Sequence, residues 1–120
     1  MKSSDFRELK VWQKAMELTV EIYSIVRLLP REETYGLSDQ MRRSVVSIPS
    51  NIAEGQGRES MKDFIRFLSV ARGSLRELST QLEICERVQY LTPVQTSNAK
   101  NMIEEIDKML NALSKSLIPL

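Results

Sequence analysis

The sequence predicts an all-α protein, an antiparallel up-down-up-down four-helix bundle forming one domain over residues 1–120. Three observations carry this. Apolar residues recur in four long rows at spacings of four and three, which marks one buried face on each of four helices. Glycine and proline are scarce, four of each in 120 residues, so turns are few. Strict alternation of β-branched residues, the strand signal, is absent. Rows joined by connections this short make antiparallel neighbours.

Residues 1–7 read as a short arm. The first helix spans about residues 8–29, with Val11, Ala15, Leu18, Ile22, Ile25 and Leu29 on its seam and Pro30 as its stop. A second row, Trp12, Met16, Thr19, Tyr23 and Val26, widens the apolar arc to about 180°, against the ~100° stripe that a surface helix needs. Trp12, Met16 and Tyr23 therefore either fill a wide core face or form a subunit interface, where aromatic residues and Met are enriched.

A charged turn, PREETYG, leads to the second helix, residues 38–55, whose row is Leu37, Met41, Val45, Ile48 and Ile52. Ser38 stands where an N-cap belongs. Gly55 and Gly57 can close the helix in the left-handed conformation. Pro49 removes one backbone bond and crowds the Val45 carbonyl, so a kink, or two short helices, is expected. Gln40, Arg43, Ser47, Asn51 and Glu54 share the other side within an arc of about 80°. With Ser44 and Ser50 they form either a solvated face or a polar seam against another helix or another subunit.

The third helix, residues 60–88, carries Phe64, Leu68, Ala71, Leu75, Leu78, Leu82 and Cys85 in unbroken four-three alternation, with Ser60 and Asp63 as a partial capping box. Cys85 on this row reads as a packed thiol rather than a nucleophile. Gly73 lies on the opposite face, with Ser69. An interior glycine costs about 1 kcal/mol against alanine. Either this face receives something close, a subunit or a phosphate backbone, or the glycine is simply tolerated. The clearest start signal follows: Thr92 as cap, Pro93 at the first position and Gln95 completing a capping box. The fourth helix covers residues 93–116 on Ala99, Ile103, Ile106, Leu110, Leu113 and Leu117, and the last residues are expected to fray.

Composition excludes several function classes. Histidine is absent, which removes His-based triads and His-containing metal sets. One cysteine permits no internal disulfide. The N-terminus has no apolar run of a secretory signal, and no stretch approaches the ~18 apolar residues of a membrane span. These features predict a cytoplasmic protein with no catalytic residues, metal, cofactor, membrane contact or small-molecule substrate. Net charge is only +1. The basic signal is local: Gln56 to Arg76 holds a balance of +3, while Glu77 to Arg87 is −2. Arg58, Lys62, Arg66 and Arg76, with Arg42 and Arg43 on the second helix, are the candidate phosphate contacts. A patch this small binds nucleic acid weakly in one copy, because affinity scales with the phosphates neutralised, and strongly only when copies pool it.

FRELKVWQKA (Phe6–Ala15), QxRRSVVSIPSNIAEG (Gln40–Gly55), Arg58 with Ser60, Phe64 to Leu68, and Ala71 with Gly73 to Leu75 together resemble the four helix bundle proteins also called 23S rRNA intervening-sequence proteins. The resemblance covers nearly the whole chain. It implies the antiparallel bundle and an association with insertions in bacterial 23S rRNA genes, and it carries over no catalytic residue. A more distant similarity, to the accessory protein of diversity-generating retroelements, implies a pentamer and a partner that is RNA or a nucleic-acid-processing protein. On this reading Trp12, Met16, Tyr23, Ser69 and Gly73 form the oligomer interface. The alternative is a protein-interaction scaffold that touches no nucleic acid.

Overall fold

A computed structural model describes residues 5–118. Four helices form: α1 (Lys10–Val26), α2 (Leu37–Gln56), α3 (Met61–Arg87) and α4 (Pro93–Ser116). They make a rod of 47 × 22 × 20 Å. Each helix packs on its two neighbours around a square, α1 on α2, α2 on α3, α3 on α4 and α4 on α1, so α1 and α3 occupy opposite corners. Contacts on α2 climb as those on α3 descend, from Met41 against Cys85 through Ser47 against Ser74 to Gly55 against Phe67, which fixes the antiparallel sense.

The four-three rows become the core. On α1 and just beyond it Val11, Ala15, Leu18, Ile22, Ile25 and Leu29 are buried, and on α3 the whole row from Phe64 to Cys85 is. Leu113 of α4 and Leu117, just beyond its end, pack at the edge of this core rather than inside it. At roughly 25 cal/mol per Å² of apolar surface removed from water, this continuous core is the main stabilising term.

The helix ends depart from expectation in ways that local chemistry explains. Helix α1 stops at Val26, and the chain turns through Arg27 to Leu29 while Leu29 still reaches the core. Of the predicted arm, residues 1–4 lie outside the described residues, as do residues 119–120, where fraying was expected. Phe6–Glu8 is a 3₁₀ turn capped by the Asp5 carboxylate, which accepts the Arg7 N–H. Ser38 is not the N-cap of α2. It is buried in the first turn, and the cap position falls to Gly36. The capping carboxylate comes from Glu33, whose Oε1 accepts the Leu37 N–H at 2.9 Å. A Cβ on Gly36 would stand 2.6 Å from that oxygen, so glycine leaves room for the cap.

Helix α2 runs unbroken through Pro49, whose ring is buried, and two separate helices do not form. Gly55 and Gly57 do not adopt the left-handed conformation. Among the described residues no glycine has a positive φ, and the one positive φ is at Gln89, beyond α3. The role of Gly55 is close approach instead: an added Cβ would lie 2.7 Å from Phe67 Cβ. The capping box of α4 forms as predicted, with Thr92 Oγ1 accepting the Gln95 N–H and Gln95 Oε1 accepting the Thr92 N–H.

Candidate nucleic-acid and partner interface

The six candidate basic residues separate into three places. Arg58, Lys62 and Arg66 gather at the end of the bundle where α2 turns into α3. There the guanidiniums of Arg58 and Arg66 both lie over the Phe67 ring, 4.9 and 4.6 Å from its centroid. Such stacking holds two like charges on a shared platform. Arg58 also pairs with Glu54 at 2.9 Å, and Arg66 with Asp63 at 3.7 Å. Arg42 and Arg43 lie about four turns away along α2. Arg42 donates to the Thr34 carbonyl, and Arg43 pairs with Asp39 at 2.9 Å. Arg76 sits midway along α3, beside the α3–α4 groove lined by Leu75, Ser79 and Ile103. The structure therefore brings three of the six together and leaves the rest apart.

The polar side of α2 meets α3. Ser47 Oγ and Ser74 Oγ share a hydrogen bond of 2.8 Å across the two helices, and Asn51 Nδ2 donates to both the carbonyl and the hydroxyl of Ser47. Toward the Gly36 end this seam opens into a groove of about 330 Å³ between Gln40, Arg43 and Ser44 on α2 and Ser74, Glu77 and Gln81 on α3. Ser44, Ser74 and Gln81 are buried. Among the described residues Gln81 Oε1 is the one buried side-chain oxygen or nitrogen without a hydrogen-bond partner.

The candidate interface residues also divide. Trp12 is half-buried, packs on the core and meets Phe6 edge-on with centroids 5.3 Å apart, so much of its surface is used within the chain. Met16 and Tyr23 remain 40% exposed, and Tyr23 shares a shallow depression with Arg42 and Val46 of α2. Gly73 and Ser69 are exposed on α3, and a Cβ added to Gly73 meets nothing within 4 Å. These two patches belong to helices at opposite corners of the square.

The strongly held charges serve the fold. Arg72 forks onto Asp107, and that hydrogen bond raises its pKa. Lys100 bridges Glu83 and Glu86; its hydrogen bond to Glu86, with a second from the Thr96 hydroxyl, lowers the Glu86 pKa. Cys85 is fully buried against Met41, and desolvation pushes its thiol up to about 11, which keeps it protonated and unreactive. Among the described residues no group of three or more Cys, Asp or Glu side chains could hold a metal, and no helix is long and apolar enough to cross a membrane.

Phe67, Ser74 and Gln81 are the residues that sequence reading passed over. Phe67 is off the four-three row and flanked by Arg66, which is the one signal that it serves something other than the core. Ser74 and Gln81 follow Phe67 at intervals of seven on the stripe that faces α2, but as polar residues they do not mark that stripe as buried.

These features define an all-α protein of the four-helix-bundle class. Residues 7–112 match the family model of the 23S rRNA-intervening sequence protein, and the chain belongs to that family. A crystal structure of a protein of unknown function, from the S23 ribosomal protein family of Bacteroides thetaiotaomicron, is similar at 33% identity with a TM-score of 0.81, covering 88% of this chain and 98% of that one. No curated protein matches.

Proposed function

We propose that the protein is a non-enzymatic homo-oligomer that binds RNA, or a nucleic-acid-processing protein carrying RNA, through basic residues pooled across its copies. The observation that carries this reading is the stack of Arg58 and Arg66 on Phe67, with Lys62 between them in sequence, at one end of the rod. Stacking orders the guanidiniums before a ligand arrives, which lowers the entropy cost of contact. Their pairs with Glu54 and Asp63 are exposed and worth only about 0.3–0.5 kcal/mol each, so phosphate can displace them. The family description, which names the rRNA intervening sequence, supports an RNA context.

Oligomerisation supplies the charge. Exposed Met16 and Tyr23, the latter beside Val46, offer an apolar face, and open Gly73 with Ser69 offers a second face of small residues. An interface joining two unlike faces is heterologous and closes into a ring when the rotation permits, which a pentamer requires. The test is a salt titration of RNA binding alongside a solution mass measurement. Multimers whose RNA affinity falls steeply with salt, with a shallower slope in the Arg58→Gln, Lys62→Gln, Arg66→Gln triple variant, are expected. Single chains that bind no RNA at about 50 mM salt would end the proposal.

The second reading is a scaffold that binds protein alone. The exposed Met16, Tyr23 and Val46 face favours it. It predicts that Tyr23→Ser with Val46→Ser dissociates the oligomer with the helical signal intact, and that no RNA binds at any salt.

A further inference from the structure

The turn between α1 and α2 presents Tyr35, which is 94% exposed and has no hydrogen-bond or ring partner among the described residues. Other aromatic rings have a use within the chain. Phe6 meets Trp12, Phe64 is buried, Phe67 lies under Arg58 and Arg66, and the Tyr90 hydroxyl is bonded to Glu33. Both faces of the Tyr35 ring are open. A lone exposed apolar side chain needs no explanation, but this one stands on a fixed backbone. The N–H groups of Glu33 and Thr34 donate to the carbonyls of Pro30 and Arg31, and the Gly36 N–H donates to the Glu33 carbonyl. The Arg42 guanidinium donates to the Thr34 carbonyl at 3.2 Å, and the Glu33 carboxylate is held by Leu37 and Tyr90. The residues on either side of Tyr35 are thus pinned, and the ring is left free.

The same segment holds arginines that no carboxylate claims. Six arginines of the protein pair with an acidic side chain. Arg27, Arg31, Arg42 and Arg76 do not, among the described residues, and the first three lie between the end of α1 and the second turn of α2. Glu32 is the one acid of this segment left over, since Glu33 caps α2 and Asp39 holds Arg43. From Arg27 to Arg43, four arginines stand against three carboxylates, a balance of +1. So small a balance gives phosphate contacts a minor share of any affinity here, and the larger share must come from the ring. An aromatic face open to solvent beside arginines is suited to stack the flat face of a nucleobase, whatever its sequence. Only unpaired nucleotides can be splayed out to reach it, because bases in a duplex are already stacked on their neighbours.

We infer that Tyr35 is a stacking platform for an unpaired base of single-stranded RNA, with Arg31 and Arg42 as its phosphate contacts. This rests on the RNA-binding reading above. It adds a preference for single strands and a second point of contact, at the end of the rod opposite the stack of Arg58 and Arg66 on Phe67. Arg42, which lies apart from that stack, acquires a ligand of its own. Phosphate contacts are common to both RNA forms and set the salt slope, whereas stacking acts only where the base is free.

The experiment measures binding of an unstructured RNA oligomer, and of the same oligomer annealed to its complement, across a salt series. Native protein is expected to favour the single strand. Tyr35→Ala should lose about tenfold on the single strand, the scale of one stacked base, with its salt slope and its duplex affinity unchanged. Tyr35→Phe and Tyr35→Trp should keep the native preference, because the ring and not the hydroxyl makes the contact. Arg42→Gln should instead lower the single-strand salt slope by about 0.7, the value of one phosphate. Because the ring has no partner within the chain, Tyr35→Ala should melt at the native temperature. Native-like binding of both RNAs by Tyr35→Ala would overturn the platform and leave the phosphate reading standing. So would an equal loss on both RNAs, or a loss in Tyr35→Phe as large as in Tyr35→Ala. Native-like RNA binding by Tyr35→Ala together with a solution mass reduced to single chains would overturn it too, placing the ring in a subunit interface. Absence of RNA binding by native protein overturns both readings together.

Discussion

The Glu33 carboxylate and the Tyr90 hydroxyl, 57 residues apart in the chain, share a hydrogen bond of 2.9 Å. Through it the α1–α2 connection is tied to the α3–α4 connection. The same carboxylate caps α2 through the Leu37 N–H, so one side chain holds a helix start and a loop-to-loop clasp.

That arrangement has a pH signature. The Leu37 N–H first, and the Tyr90 hydroxyl second, lower the Glu33 pKa below the usual value near 4.5. A carboxylate depressed in the folded state contributes stability that is complete above the unfolded pKa and is lost as pH falls through the folded one. Tyr90→Phe removes one of the two causes and should bring the Glu33 pKa part of the way back. The melting temperature of the variant should lie below native at neutral pH, and the difference should shrink as pH is lowered from about 5 toward 3. Thermal melts across that range check it. A constant difference at every pH would show that only packing is lost.

Two glycines in helices should respond to alanine in opposite directions. At Gly55 the new methyl would sit 2.7 Å from Phe67 Cβ and 3.3 Å from the Phe64 carbonyl, so α2 and α3 must separate. Overpacking of this kind costs about 1–3 kcal/mol. At Gly73 the methyl meets nothing within 4 Å, and helix propensity alone favours alanine by about 1 kcal/mol. Chemical denaturation of Gly55→Ala and Gly73→Ala should place their midpoints on opposite sides of native.

The contrast also shows what the sequence could and could not reveal. Rows such as Phe64 to Cys85 are legible because helical period is a local property, and the Thr92 cap is legible because its partner is three residues away. Gly55 looked like a helix terminator, since glycine serves both the left-handed turn and close approach, and only the position of Phe67 decides between them. Ser38 looked like a cap because the competing carboxylate, Glu33, belongs to a turn whose conformation no periodicity encodes. The basic cluster was half legible: charge counting found Arg58, Lys62 and Arg66, but their shared platform on Phe67 required the turn between α2 and α3. Gln81 was invisible, because an orphaned oxygen is a property of the packed seam and not of a motif.

The seam itself can be weighed. Ser47 and Ser74 bond across α2 and α3 in a half-buried setting, and a neutral hydrogen bond of this kind contributes about 0.5–1.5 kcal/mol net. A double-mutant cycle through Ser47→Ala and Ser74→Ala should return a coupling in that range. Ser47→Ala should be the costlier single change, because Asn51 also donates to the Ser47 hydroxyl and loses that acceptor. Equal single costs with no coupling would show that water replaces the bond freely.

Cys85 gives a prediction at the other end of the pH scale. Its thiol is fully buried on the core row, and burial first, then the charges of Glu33 and Glu86, push its pKa from 9.0 to about 11. The unfolded chain ionises this thiol near the ordinary value, while the folded chain does not until about 11. Stability linked to Cys85 is therefore intact below about pH 9 and falls as pH rises through that interval. Cys85→Ala should cost about 1 kcal/mol at neutral pH through the lost sulfur packing against Met41. Because alanine cannot ionise, the difference from native should narrow as pH rises from 9 to 11. At pH 8 the native thiol should react with alkylating reagents only as fast as the chain opens, and denaturant should release it. Rapid alkylation under native conditions would show that α2 and α3 part locally at Met41 far more often than so complete a burial implies.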